Sequence, residues 1–505
     1  MNKERRIKNA SKNVLSAFIN KFCILILTFI GRKFFIQYIG VEYLGINGLF
    51  SNVLTLLSLA DLGLGTAMNV SLYKPIAEEN HAKIAALLQY YRKIYYLITA
   101  TVLILGLGLM PFLKYIINME RNIPYLYLYY VVFVIRNASS YMFAYKASII
   151  KADQRMYLVN RIEVFVIFTR NILQIVLIIW THSYLLYLLM DVVQHLVHNI
   201  ILACIANKYY PFVNEKHDLT PKEKKTLFQN VSSMFIYRVS WTLLNGTDNI
   251  LISIMLGTVC VGLYSNYLTI TSNIETFIAL LFVSITSSVG NLIATAPIER
   301  RYQVFKLMQM ISFWLCGIVT VCLIFLTQDF IQLYFGKDLL LDNLTLIAIV
   351  LNTYFNICMR PVWTFREGCG MYQRIKYIMF VTAVLNLVLS VVLGKYLGLS
   401  GILFATSISK LLTYFWYEPS VLFKDFFHQK NKKYYICHAY NLIVMGISII
   451  SIYWICSLFR TTGIWLWFTK AFICIICVNT IYYVQYRKTD EFREFVNILR
   501  HYKNH

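Results

Sequence analysis

An internal repeat at a spacing of 217 residues constrains this chain more than any other feature of its sequence. Asn13-Val14-Leu15-Ser16-Ala17-Phe18-Ile19-Asn20-Lys21 aligns with Asn230-Val231-Ser232-Ser233-Met234-Phe235-Ile236-Tyr237-Arg238, and at the same offset Gly40 and Gly45 fall on Gly257 and Gly262. Lys21 and Arg238 each lie inside a long apolar run. Such a chain reads as a duplicated set of membrane helices with one buried cation at the matching place in each half, the pattern of a carrier for something anionic.

Composition supports the membrane reading, because 58% hydrophobic residues, 14% charged residues and a mean hydropathy of +0.59 leave too little polar surface to clothe a soluble protein. The first apolar run, from Val14 to about Gln37, is too long for a signal-peptide core and has no small-residue cleavage site after it, so it is expected to remain as a helix. A span needs about 20 apolar residues. On that criterion helices are expected near 14–37, 44–68, 92–113, 125–149, 160–180, 183–207, 227–256, 260–294, 305–327, 340–364, 375–396, 399–423, 434–459 and 462–486. The fold class is therefore all-α and polytopic, with about fourteen spans: an N-lobe over 1–215, a C-lobe over 216–430, and a C-terminal helix pair with its tail over 431–505.

Charge placement tests the count independently. With the amino terminus inside and strict alternation, 33 of the 47 Lys and Arg residues fall in inner segments and only seven at outer ends and loops, as the excess of basic residues in cytoplasmic loops requires. A missed span would invert the alternation downstream, so both termini are expected on the cytoplasmic side. The net charge of +23 is spread over every inner loop without a nucleic-acid-binding fold. Topology and anionic inner-leaflet lipid account for it.

The remaining seven cations, Lys21, Arg136, Arg170, Arg238, Arg360, Lys410 and Lys470, lie within the expected spans. Each costs about 2.5–3.5 kcal/mol near mid-bilayer, so several together imply water, counter-ions or a hydrophilic cavity. Lys21 and Arg360 are near inner ends, where reaching the headgroups is an equal alternative to lining a cavity. Arg136, Arg170, Arg238 and Lys410 are deeper, and for them a cavity competes with pairing to a carboxylate. The main intramembrane carboxylates, Asp61, Asp191, Asp248 and Glu275, are outnumbered, which favours an anionic cargo.

Asp248 belongs to Asn245-Gly246-Thr247-Asp248-Asn249, oxygen-rich side chains beside a glycine that suit Na⁺ binding or proton relay and equally suit a helix–helix hydrogen-bond patch. Asp61, in Leu59-Ala60-Asp61-Leu62-Gly63-Leu64-Gly65, reads as structural, with ion coupling as the alternative. Asp191, His195 and His198 fall at i, i+4 and i+7 on one helix face. No further ligand accompanies them, so a proton-linked polar stripe is expected there rather than a metal site. Cys474-Ile475-Ile476-Cys477 has CxxC spacing inside an apolar helix without a partner pair and is assigned to packing. No phosphate-binding Gly-rich loop and no sizeable outer loop for catalysis is found, so neither ATP-driven transport within this chain nor an enzyme is expected. The only cofactor expected is a coupling Na⁺ or H⁺.

Tyr43-Leu44-Gly45-Ile46-Asn47-Gly48-Leu49-Phe50-Ser51-Asn52, continuing through Leu57-Ser58-Leu59-Ala60-Asp61-Leu62-Gly63-Leu64-Gly65-Thr66-Ala67 to Ser71-Leu72-Tyr73-Lys74-Pro75, resembles the signature stretch of Wzx-type polysaccharide flippases. Asn245-Gly246-Thr247-Asp248-Asn249 with Val261-Gly262-Leu263-Tyr264-Ser265-Asn266-Tyr267 resembles the matching stretch of the second lobe. The resemblance implies the fold of the multidrug, oligosaccharidyl-lipid and polysaccharide (MOP) exporter superfamily, two six-helix lobes around a cavity plus two C-terminal helices. It also implies movement of undecaprenyl-diphosphate-linked oligosaccharide from the cytoplasmic to the outer leaflet of a bacterial membrane, beside the polymerase and glycosyltransferases of the same pathway. Lys21, Arg238 and Arg360 are then expected near the entrance and Arg136, Arg170 and Lys410 around anionic groups deeper in. A lipid II flippase or multidrug exporter of the same superfamily, and a membrane polymerase or ligase, stand as alternatives.

Overall fold

The computed structural model describes residues 3–57, 68, 71–72, 75–76, 78–117, 123–153, 155–215, 217–221, 223–224, 227, 239–244, 246–369, 371–457 and 463–503. The regular elements among them are helical, and by internal contacts the chain divides into two units, Met1–Gly262 and Leu263–His505.

Unit 1 contains α1 (Lys3–Tyr38), α2 (Val41–Leu57), α3 (His81–Gly108), α4 (Leu126–Tyr141), α5 (Ala144–Ala152), α6 (Met156–Thr181), α7 (Tyr184–Tyr209), α8 (Asp248–Leu256) and the first turn of α9 (Thr258–Thr295). Local chemistry sets many of the ends. Asn80 caps α3 by accepting from the Lys83 amide at 2.9 Å, and Ser183 caps α7 through Leu186. Gly40, between α1 and α2, has φ +107°, and its repeat mate Gly257, between α8 and α9, has φ +96°. This left-handed region suits glycine, so the repeat preserves the turn as well as the residue. Within the unit α1 packs along α6, α6 against α7, and α4 against α3 and α7, while α8 lies on α2. Phe35, Phe50, Tyr130, Phe133 and Leu188 fill one part of the core, and Leu88, Tyr91, Tyr145, Ile149 and Leu202 fill another.

Unit 2 continues α9 and adds α10 (Ile298–Tyr334), α11 (Asn343–Cys358), α12 (Arg360–Cys369), α13 (Tyr372–Leu412), α14 (Tyr414–Leu422), α15 (Lys432–Ser457), α16 (Ile464–Tyr486) and α17 (Asp490–Lys503). Asp342 caps α11 by accepting from the Thr345 amide at 3.0 Å. Pro361 lacks the N–H that would carry that helix onward, and α11 and α12 meet at a 41° bend. The long α13 is two helices joined at Gly398 (φ 58°, ψ −134°), the break expected between the spans at 375–396 and 399–423. Of the C-terminal pair α15 and α16, α16 is fastened to α10 by polar pairs in an apolar setting: Trp314 Nε1 to Asn479 at 2.9 Å, Trp467 Nε1 to the Leu326 carbonyl at 3.0 Å, and Lys470 to Asp329 at 2.7 Å. Cys474 is fully buried among Val321, Ile452 and Tyr482, a packing role.

Seven helices of the described residues are long and apolar enough to cross a membrane, or eight if α11 and α12 form one bent span. Three strongly exposed aromatics, Trp180, Tyr396 and Trp465, sit at helix ends, where amphipathic rings meet the headgroup region. The chain is a multi-pass membrane protein.

Candidate functional site

A cluster of polar residues in unit 1 converges from three largely apolar helices. Arg136 comes from α4, Arg170 and Gln174 from α6 one turn apart on the same face, and Asp191 from α7. Arg136 Nη1 donates to Asp191 Oδ2 at 3.3 Å, while Arg170 Nη1 and Gln174 Nε2 donate to Asp191 Oδ1 at 3.2 and 2.9 Å. Gln174 Nε2 also lies 2.9 Å from the Tyr187 carbonyl oxygen, which ties α6 to α7. The Arg136 guanidinium stands 4.7 Å from the Phe133 ring centre and reaches Ser51 Oγ of α2 at 3.4 Å.

Two guanidinium groups thus share one carboxylate and the cluster keeps a positive excess. Side-chain exposures of 23% for Arg136 and 25% for Arg170, against 11% for Asp191, leave the cations reachable and the anion enclosed. A planar guanidinium with free donors matches a phosphate or carboxylate oxygen pair. His195 and His198 follow Asp191 along α7 and are partly buried, but both Asp191 oxygens are already engaged by Arg136, Arg170 and Gln174.

In unit 2 Glu275 of α9 and Lys410 of α13 are joined through Asn356 of α11. The Asn356 amide donates to Glu275 Oε1 and Oε2 at 3.0 and 3.1 Å, and its carbonyl oxygen accepts from Lys410 Nζ at 2.9 Å. Lys410 is only 1% exposed, enclosed rather than presented to a cavity in this structure. Arg360 lies over Trp363 at 5.2 Å.

Lys21 is partly buried on α1 beside Asn20, whose amide donates to Glu163 of α6 at 2.7 Å. Asp248 occupies the first turn of α8, where a carboxylate favours the helix N-terminus. Asp61 and Arg238 lie outside the described residues. Arg136, Arg170 and Asp191 are brought together, and Glu275 and Lys410 are bridged by Asn356, an asparagine that sequence reasoning did not single out. Gln174 was also missed, although its place one turn after Arg170 signalled a shared face. Arg366, which falls between the spans expected at 340–364 and 375–396, is buried in α12 and paired with Glu418 of α14 at 3.1 Å.

A family model described as polysaccharide biosynthesis protein matches residues 10–287. Among solved structures, the lipid II flippase MurJ in an inward closed conformation superposes with a TM-score of 0.68 at 16% identity, over 94% of this chain and 98% of that one. An inward-facing multidrug resistance MATE family transporter of the MOP superfamily gives 0.62 at 13% identity over 80% and 97%. A MOP superfamily transporter from Pyrococcus furiosus, described as having a binding pocket of reverse polarity, gives 0.54 at 14% over 81% and 95%. These likenesses establish the fold. No curated protein sequence matches the chain significantly.

Proposed function

We propose that this chain, which belongs to the polysaccharide biosynthesis protein family, moves polyprenyl-diphosphate-linked oligosaccharide from the cytoplasmic to the outer leaflet of a bacterial inner membrane by alternating access. The observation that carries the reading is the pair Arg136 and Arg170 over the single carboxylate of Asp191, a partly accessible cationic cluster inside a helical unit. In this scheme the diphosphate takes guanidinium donors in place of Asp191, which holds the two arginines in position while the site is empty of cargo. The reaction makes and breaks no covalent bond. Lys21, Arg238 and Arg360 draw the anionic head inward, both termini face the cytoplasm, and the pathway's glycosyltransferases and polymerase act before and after. Coupling to Na⁺ or H⁺ is assigned to the Glu275–Asn356–Lys410 link, with Asp61, Asp248 and the Asp191/His195 face as further candidates.

A second reading, a lipid II carrier, is favoured by the match to MurJ over nearly the full length of both chains. Both cargoes carry a polyprenyl diphosphate, so Arg136 and Arg170 serve either, and the sugar part decides. The test reconstitutes the purified protein in vesicles with undecaprenyl-diphosphate-linked oligosaccharide, lipid II, or a neutral glycolipid, and scores sugar accessibility on each face. Protein-dependent movement of the oligosaccharide supports the proposal. Movement of lipid II alone transfers the assignment to the second reading, and movement of the neutral lipid at the same rate removes the role of the arginines.

A further inference from the structure

At one end of unit 2 the start of α10, the start of α15, the end of α16 and the start of α17 enclose a pocket of about 350 Å³, within the size range of small-ligand sites. Its polar atoms are of two kinds. Lys306 and Gln309 stand on one face of α10, and the Gln309 side-chain nitrogen is buried without a hydrogen-bond partner among the described residues. On α16 and α17 are acceptors: Glu491, 2.6 Å from Lys306 Nζ, and Gln485, whose buried side-chain oxygen also lacks a partner among the described residues. Gln309 is 7% exposed, and leaving such an amide atom unpaired costs about 1–3 kcal/mol. The rest of the lining is mainly apolar and aromatic, with Thr489 hydrogen-bonded locally to the Tyr486 carbonyl, and the lining residues Ile436 and Tyr440 are more than half exposed.

Lys306 lies eight residues beyond the first residue of α10, about 12 Å along its axis, and Ile436 lies within the first two turns of α15. The pocket is therefore at headgroup depth, with Ile436 and Tyr440 facing the acyl region.

We propose that this pocket binds the phosphoethanolamine headgroup of a phospholipid as a structural ligand, separate from the transported cargo. The phosphate oxygens accept from Lys306 and Gln309, and the primary ammonium donates to Glu491 and Gln485, so each unpaired amide atom gains its missing partner. Donors on α10 and acceptors on α16 and α17 fit a zwitterion. A choline headgroup has no N–H to give to Glu491 and Gln485, and a glycerol headgroup has no cation.

The full-length protein is equilibrated in nanodiscs holding equal amounts of phosphatidylethanolamine, phosphatidylcholine and phosphatidylglycerol with identical chains, and the lipid retained after detergent extraction is measured by mass spectrometry. Retention of the ethanolamine lipid over the choline lipid by about fivefold, the worth of one net hydrogen bond, is expected. It falls towards parity in Gln309→Leu/Gln485→Leu, whose folding is checked by thermal unfolding in lipid-free detergent, where that variant only removes two unpaired buried groups. Glu491→Gln, a more exposed site, tests the ammonium contact if the double variant does not fold. Equal retention of ethanolamine and choline lipids, a preference for the glycerol lipid, unchanged selectivity in the variants, or displacement by added lipid-linked oligosaccharide would each overturn the proposal.

Discussion

Gly45 and Gly262, related by the internal repeat, lie against each other. A Cβ on Gly45 would come within 2.0 Å of the Thr258 carbonyl oxygen, and one on Gly262 within 2.5 Å of the Val41 carbonyl oxygen. The first turns of α2 and α9 thus approach backbone to backbone, and the relation is reciprocal: each glycine admits the helix start of the other.

Gly45→Ala and Gly262→Ala are expected to separate α2 from α9, because the obstacle is main chain and no rotamer change relieves it. Overpacking of this kind costs about 1–3 kcal/mol. Thermal unfolding in detergent should show both variants destabilised, while Gly446→Ala, where nothing stands within 4 Å of the added Cβ, should be neutral or slightly stabilised. Equal behaviour of all three would refute the close-contact reading.

Asn356→Leu removes the three hydrogen bonds that bridge Glu275 and Lys410 and leaves an enclosed ammonium without the carbonyl oxygen now 2.9 Å away. A loss of about 1–3 kcal/mol follows for one such contact. Glu275→Gln should instead keep the Asn356 contact and fold, while weakening the response of transport to an imposed ion gradient. Gradient-dependent transport that is identical in Glu275→Gln and the parent would exclude this link from coupling.

Glu223 closes a capping box with Thr220, accepting from its amide at 2.9 Å, and pairs with Lys83 of α3. The Lys83 hydrogen bond, followed by those from Thr220, holds its carboxyl down at about 2. A depressed carboxylate contributes above its unfolded value and ceases to do so as pH falls through the folded one. The tether should therefore be constant from pH 8 to about 5 and weaken only in strong acid. Proteolysis near residue 220 should be flat across that range in the parent and raised at every pH in Glu223→Gln.

Much of this architecture was legible beforehand because apolar length and glycine position are local properties. The run at 183–207 became α7 (Tyr184–Tyr209), the run at 462–486 became α16 (Ile464–Tyr486), and Gly40 and Gly257, aligned by the repeat, share a positive φ. The pairings were not legible. Arg136 and Asp191 are 55 residues apart, and whether they meet depends on how α4 and α7 cross, which hydropathy does not encode. Cation and carboxylate counts identified the participants, yet Gln174 and Asn356, neutral side chains that organise each cluster, carry no charge signal in an apolar run. Lys410 was placed by sequence among the cavity-lining cations, with pairing to a carboxylate as the competing reading, and its enclosure beside Asn356 emerges only from packing.

Arg136 and Arg170 are proposed to recognise the diphosphate of the cargo. This recognition is tested most directly by measuring translocation of undecaprenyl-diphosphate-linked oligosaccharide in vesicles containing the parent protein, Arg136→Ala/Arg170→Ala, or Arg136→Lys/Arg170→Lys, each checked for folding by thermal unfolding. The alanine variant is expected to fold but not to translocate, and the lysine variant, with charge but without the forked donors, to recover part of the rate. Translocation by a folded alanine variant at the parent rate would contradict this recognition.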